Sequence, residues 1–201
     1  MKMPEAGDGS KIQAEQKEGR YNKLYLLIIE RYKDYIEQKE SLSVAELPTL
    51  ITPNVEPVRK KVDEIKASFG TYTYDSNFYK ASVDSFHFVR DGIERVVLPL
   101  QFWLTPEETI SFGMGDEIDK NILLCSMLIA LGNPSAKVLI HIRDSSRKTL
   151  VYYEFQGKVY VLDPEDDVKS FENAQEMLDS MQIGEDSTVY EFNDRTYKDI
   201  A

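Results

Sequence analysis

Few residues in this chain could do chemistry. Four carboxylates stand in two short motifs: Asp116, Glu117 and Asp119 in GDEIDK, and Asp163 in KVYVLDP. There is one cysteine, Cys125, and there are two histidines, His87 and His141. Oxygen ligands of the first kind suit a hard divalent cation, calcium or magnesium. A thiol within hydrogen-bond reach of an imidazole could act as nucleophile and base. The local pattern argues against both. Asp116 and Asp119 have the spacing of a helix cap and its partner, and Asp163 closes a strand-like run where a backbone or tyrosine group can engage it. Cys125 sits among Leu123, Leu124, Met127 and Leu128, the surroundings of an inert buried thiol. His87 lies between two phenylalanines and His141 in an alternating strand pattern, so both read as structural. EF-hand spacing, HExxH, a P-loop and GxGxxG are absent. No metal and no cofactor is expected.

The element that must position these acids is residues 113–132, GMGDEIDKNILLCSMLIALG. From Ile118 to Leu131 it is apolar on nearly every side, which marks a buried helix. Asp116 is a good N-cap, and acids in the first turn complement the helix dipole. Gly132 is placed to end the helix, with Pro134 soon after.

Around it the chain reads as follows. Residues 1–20 are charged, with three glycines, and are expected to be a mobile tail. Residues 21–39 repeat apolar positions at helical spacing (Leu24, Tyr25, Ile28, Tyr32, Tyr35), which suits a helix packed on a core or on a partner. Residues 41–54 are a connection, with a short helical turn at 44–47. Residues 56–69 are helical again, with Pro57 in the first turn and Gly70 as the stop. A long helix is expected over 75–97, weakened at Gly92. Thr105-Pro106-Glu107-Glu108 begins a short helix with a capping box. After Gly132 the period becomes strand-like: residues 136–143, then 150–155 and 158–162 joined by Gln156-Gly157, a hairpin signal. A polar turn is expected at 144–148, a helix at 171–181, a last strand at 188–192 and a tail at 193–201.

The bulk composition sets limits. The 201 residues suit one domain with an appendage, here residues 21–74 ahead of 75–201, and a hydrophobic share of 42% supplies a core. A net charge of −11 argues against nucleic acid and anionic membrane as partners. One cysteine precludes an internal disulfide, and no secretory signal or membrane-spanning run is seen, so a cytoplasmic location is expected. Tyr152, Tyr153, Glu154 and Tyr160 either serve as core and cover on a sheet or line a groove. The acidic balance would bias such a groove towards basic ligands or peptides.

The order of these pieces resembles the transglutaminase-like (papain-like cysteine enzyme) superfamily. Its motif is close to G-D-C-x-D, followed by an apolar helix ending in A-L-G, then a strand, a strand carrying a histidine, and a strand ending in Asp-Pro. Here Gly115-Asp116-Glu117-Ile118-Asp119, Ala130-Leu131-Gly132 and KVYVLDP match, with FHFVRDGIERV and WLTPEETI upstream. The resemblance covers roughly residues 75–164. It implies an α+β fold in which N-terminal helices and a buried central helix pack on an antiparallel β-sheet. It also implies where chemistry would lie. Glu117 stands where the family has its cysteine, and Leu150 or Val151 where it has its histidine; Asp163 alone is kept. Trp103 would sit near the groove or be buried as a core anchor, and Asp116, Tyr152 and Tyr153 are possible groove residues beside it. In the family the helix N-terminus and the histidine activate the thiolate. A carboxylate is a poor acyl-transfer nucleophile, and leucine moves no proton.

The expected function is therefore non-catalytic: a binding or scaffolding role towards a protein or peptide. A hydrolase or acyltransferase with a displaced or carboxylate-based site, and a carboxylate metal-binding regulator, are the alternatives.

Overall fold

The computed structural model describes residues 8–40, 43–97, 102–144, 146–181, 183–184 and 186–200. The chain divides into two compact units, one holding helix α1 (Asp8–Glu40) and the other running over residues 42–97 and 103–201. Helix α1 contains the whole 21–39 pattern. It also begins inside the stretch expected to be a tail. Ala14, Glu15, Gln16, Lys17 and Glu18 are strong helix formers and need no core to favour helix. Residues 1–7 lie outside the described residues.

The second unit opens with a 3₁₀ turn (Val44–Leu50), helix α2 (Glu56–Ala67) and helix α3 (Tyr74–Gly92). Helix α3 stops at Gly92, short of the expected end. Ile93 is extended, and the chain continues as β1 (Glu94–Arg95), parallel to β2 (Met114–Gly115). The Glu94 and Val96 amides bond the carbonyls of Gly113 and Gly115 at 2.8 and 3.0 Å. Between them lies α4 (Pro106–Phe112), capped as expected: the Thr105 and Glu108 side chains each accept the other's backbone N–H. Helix α5 (Glu117–Ala130) follows, and eleven of its residues are buried.

The rest is a six-stranded antiparallel sheet of order β6-β5-β4-β3-β7-β8. Its strands are β3 (Lys137–Arg143), β4 (Ser146–Phe155), β5 (Lys158–Leu162), β6 (Val168–Phe171), β7 (Ser187–Phe192) and β8 (Tyr197–Asp199). Helix α6 (Ala174–Ser180) lies between β6 and β7. Gln156 and Gly157 both take positive φ, 50° and 78°, as a tight hairpin requires. Strand β4 starts at Ser146, inside the expected polar turn, and β8 lies in the expected tail. Both gain their structure from the neighbour they pair with.

Helix α5 packs on β3 and β4, with α2, α3 and α4 around it. The sheet therefore has two different faces. Val138, Ile140, Val151, Tyr153, Phe155, Leu162 and Phe192 join the α5 core, while Leu139, Leu150, Tyr152, Val159, Val161 and Val189 pack with Met177 of α6. The architecture is the α+β arrangement that the resemblance implies, a buried central helix across an antiparallel sheet. No described helix is long and apolar enough to cross a membrane.

Candidate functional site

The N-terminus of α5 is a closed polar knot. The Asp119 amide donates to Asp116 Oδ1 at 2.9 Å, and the Asp116 amide donates to Asp119 Oδ2 at 2.8 Å. The other Asp119 oxygen accepts the Leu104 amide at 2.8 Å, which ties the segment before α4 to α5. Asp119 is fully buried. Burial first, and then the neighbouring Asp116 charge, push its carboxyl up to about 7. Gly115 is needed here because a Cβ would sit 2.9 Å from the Asp119 Cβ. Arg147 faces Asp116 across 3.9 Å, a loose pair.

Glu117 is engaged by the sheet. Its Oε1 accepts the Thr149 amide at 2.6 Å. Asn121, one turn on, donates to the carbonyls of Glu117 and Thr149 at 2.8 and 3.3 Å. The reason lies in the register of the hairpin. The last β4–β5 pair is Val151–Leu162; two positions on, the next hydrogen-bonded pair would be Thr149–Pro164, where proline has no N–H to offer the Thr149 carbonyl. Two side chains of α5 thus complete the end of the ladder in place of a strand. Beside them, Thr149 Oγ1 and Asn121 Oδ1 are buried with no hydrogen-bond partner among the described residues.

The expected triad positions are not brought together. Leu150 packs on the α6 side of the sheet, away from Glu117. Val151 faces α5 but is a buried core residue. The residue of β4 next to Glu117 is Thr149. Asp163 belongs with Leu150: its Oδ2 pairs with Lys148 at 3.1 Å, its Oδ1 accepts the Glu165 amide at 3.0 Å, and both Leu150 and Lys148 line a cleft with it. The loop after Asp163 does pass the first turn of α5. Glu165 lies 3.4 Å from the buried Lys120 ammonium and 3.3 Å from Arg95.

The possible groove residues do not gather into a groove, and Trp103 and the two tyrosines take the core positions of the alternative reading. Asp116 caps α5, and Trp103 packs half-buried on the main core. Tyr152 and Tyr153 are buried on opposite faces of β4, so they line no common groove. The Tyr152 hydroxyl donates to Glu191, and the Tyr153 hydroxyl meets Ser82 Oγ at 2.6 Å. Burial raises the pKa of both phenols. Cys125 is fully buried and its thiol is pushed up by that burial. His141 contacts Ser187 Oγ at 3.0 Å, and burial lowers its pKa. His87 is exposed on α3 beside Arg90 and Asp91. Asp116, Glu117, Asp119 and Asp163 do not form one cluster: among the described residues no three or more acids, histidines or cysteines are grouped as metal ligands.

Sequence reasoning missed Thr149, Asn121, Lys120 and Lys148. A signal for the first was present. Counting back from Gln156-Gly157 as a two-residue turn sets Pro164 opposite Thr149 and leaves the Thr149 carbonyl in need of a donor, which Asn121 supplies.

No family model and no curated protein matches this sequence. Similar solved structures include LapG of Legionella pneumophila after EGTA treatment, at 17% identity over 80% of this chain and 87% of that one, with a TM-score of 0.49. Calcium-bound LapG is 16% identical over 69% and 86%, with a TM-score of 0.43. A candidate cysteine protease from Cytophaga hutchinsonii is 12% identical over 82% and 58%, with a TM-score of 0.45.

Proposed function

We propose that this chain is a non-catalytic protein on a transglutaminase-like fold, with a binding or scaffolding role towards a protein or peptide. The observation that best supports this reading is the Glu117–Thr149 contact. A carboxylate engaged by a backbone amide as a ladder end is a structural acceptor. The α5-facing residues beside it on β4, Thr149 and Val151, cannot serve as a proton shuttle. The only cysteine is in the core, and His141 belongs to the other face of the sheet.

The test is turnover of an activated ester by the wild type, Glu117→Ala, Glu117→Cys, and Glu117→Cys combined with either Leu150→His or Thr149→His. We expect none from the first four, because an imidazole at 150 points away from the new thiol. Weak turnover is expected only with Thr149→His, since a positioned acid–base group is worth roughly 10²–10⁴-fold. Robust wild-type turnover that vanishes in Glu117→Ala would overturn the reading.

A further inference from the structure

The sheet face away from α5 carries a cleft of about 210 Å³ between the strands and α6. Leu150, Val161, Phe171 and Met177 give it an apolar floor. Its rim holds two ion pairs, Lys148–Asp163 at 3.1 Å and Lys169–Asp166 at 2.6 Å. The knot at the start of α5 uses none of these residues. Asp163 is fixed: its side chain is 7% exposed, and its second oxygen is held by the Glu165 amide. Both lysine side chains are about half exposed, at 52% and 54%, and can swing.

We propose that this cleft binds a free α-amino acid with an apolar side chain. Size is the first constraint. Sites for drug-sized ligands run to roughly 300–1,000 Å³, so this one takes a smaller molecule. Charge is the second. Each rim cation already sits beside a rim anion. A ligand with a single charge would draw one partner away and strand the other, and stranding costs most at the buried Asp163. A zwitterion replaces both halves of a pair at once. Its carboxylate takes Lys148 and Lys169, and its ammonium takes Asp163 and Asp166. The apolar floor receives the side chain, since leaving it wet forgoes roughly 25 cal/mol per Å². A nucleotide or other polyanion does not suit a rim that also presents Asp163, Asp166 and Asp167. The site is independent of the Glu117 reading: ester turnover at α5 would leave it untouched.

The experiment is calorimetric titration of the full chain with L-leucine, glycine, leucinamide and N-acetyl-leucine, with amide chemical-shift mapping. Leucine is expected to bind saturably and to shift Lys148, Leu150, Asp163 and Lys169. Glycine and both singly charged analogues should bind at least about tenfold more weakly, the ratio given by 1.4 kcal/mol. Lys169→Met breaks only the exposed pair with Asp166, so it keeps the fold and should weaken leucine by a similar factor. Leu150→Trp should abolish binding by filling the floor. No saturable leucine binding would overturn the proposal, as would leucine shifts confined to the start of α5. Equal binding of N-acetyl-leucine would make the cleft a peptide C-terminus pocket and overturn the zwitterion assignment.

Discussion

Glu117 Oε1 and the Thr149 amide are 2.6 Å apart, and this contact joins the first turn of the central helix to the end of a strand ladder. The carboxylate sits in the first turn of the helix, and it serves the backbone of the sheet. The hairpin β4–β5 ends one rung early at Leu162, because Asp163-Pro164 turns the chain away. Thr149 would be left with an unpaired N–H and C=O. Glu117 takes the first and Asn121 the second.

The first prediction follows from that role. Glu117→Ala leaves a backbone amide without its acceptor, and such a loss costs about 1–3 kcal/mol. Glu117→Gln keeps a carbonyl oxygen in place and should cost less than half as much. Urea unfolding of the two variants beside the wild type measures both. Equal losses would mean that the charge at the helix N-terminus, and not the acceptor, carries the effect.

The second concerns pH. Asp119 titrates near 3.8 when unfolded and at about 7 when folded. Between those values the native state holds a proton that the unfolded chain has released. The slope of stability with pH then has the sign of protons bound unfolded minus native, which is negative. This group's contribution therefore falls as pH rises from about 4 to about 7 and is level above. Asp119→Asn should remove the fall. Unfolding free energies at several pH values for both proteins give the comparison. A wild type that gains stability over this range relative to Asp119→Asn would contradict the assignment.

Cys125 supplies the third. With its thiol fully buried and pushed up by burial, labelling by a thiol reagent should be slow in the folded protein and fast in denaturant. The native rate should follow global opening and rise in step with destabilising variants such as Glu117→Ala. Fast native labelling at neutral pH would place the thiol at a surface and reopen it as a nucleophile.

Much of this fold could be read from the sequence, and what was legible shares one property. The Thr105–Glu108 box, the Asp116–Asp119 cap, the buried α5 and the Gln156-Gly157 turn are set by residues within a few positions of one another. Local geometry decides them, so residue types at fixed offsets suffice. The site depended on pairings between distant segments. In a strand successive side chains face opposite ways, so a one-residue difference moves a group to the other side of the sheet. That is the distance between Leu150, which faces α6, and Thr149, which meets Glu117. Which of them lies beside the helix depends on where β5 stops and on how α5 sits across β4. The end of α3 at Gly92, the start of β4 at Ser146 and the strand β8 were decided in the same way, by partners far along the chain. Sequence alone determined that Asp116 caps the central helix and that a glutamate, not a cysteine, follows it; only the tertiary structure decided that Glu117 closes a sheet.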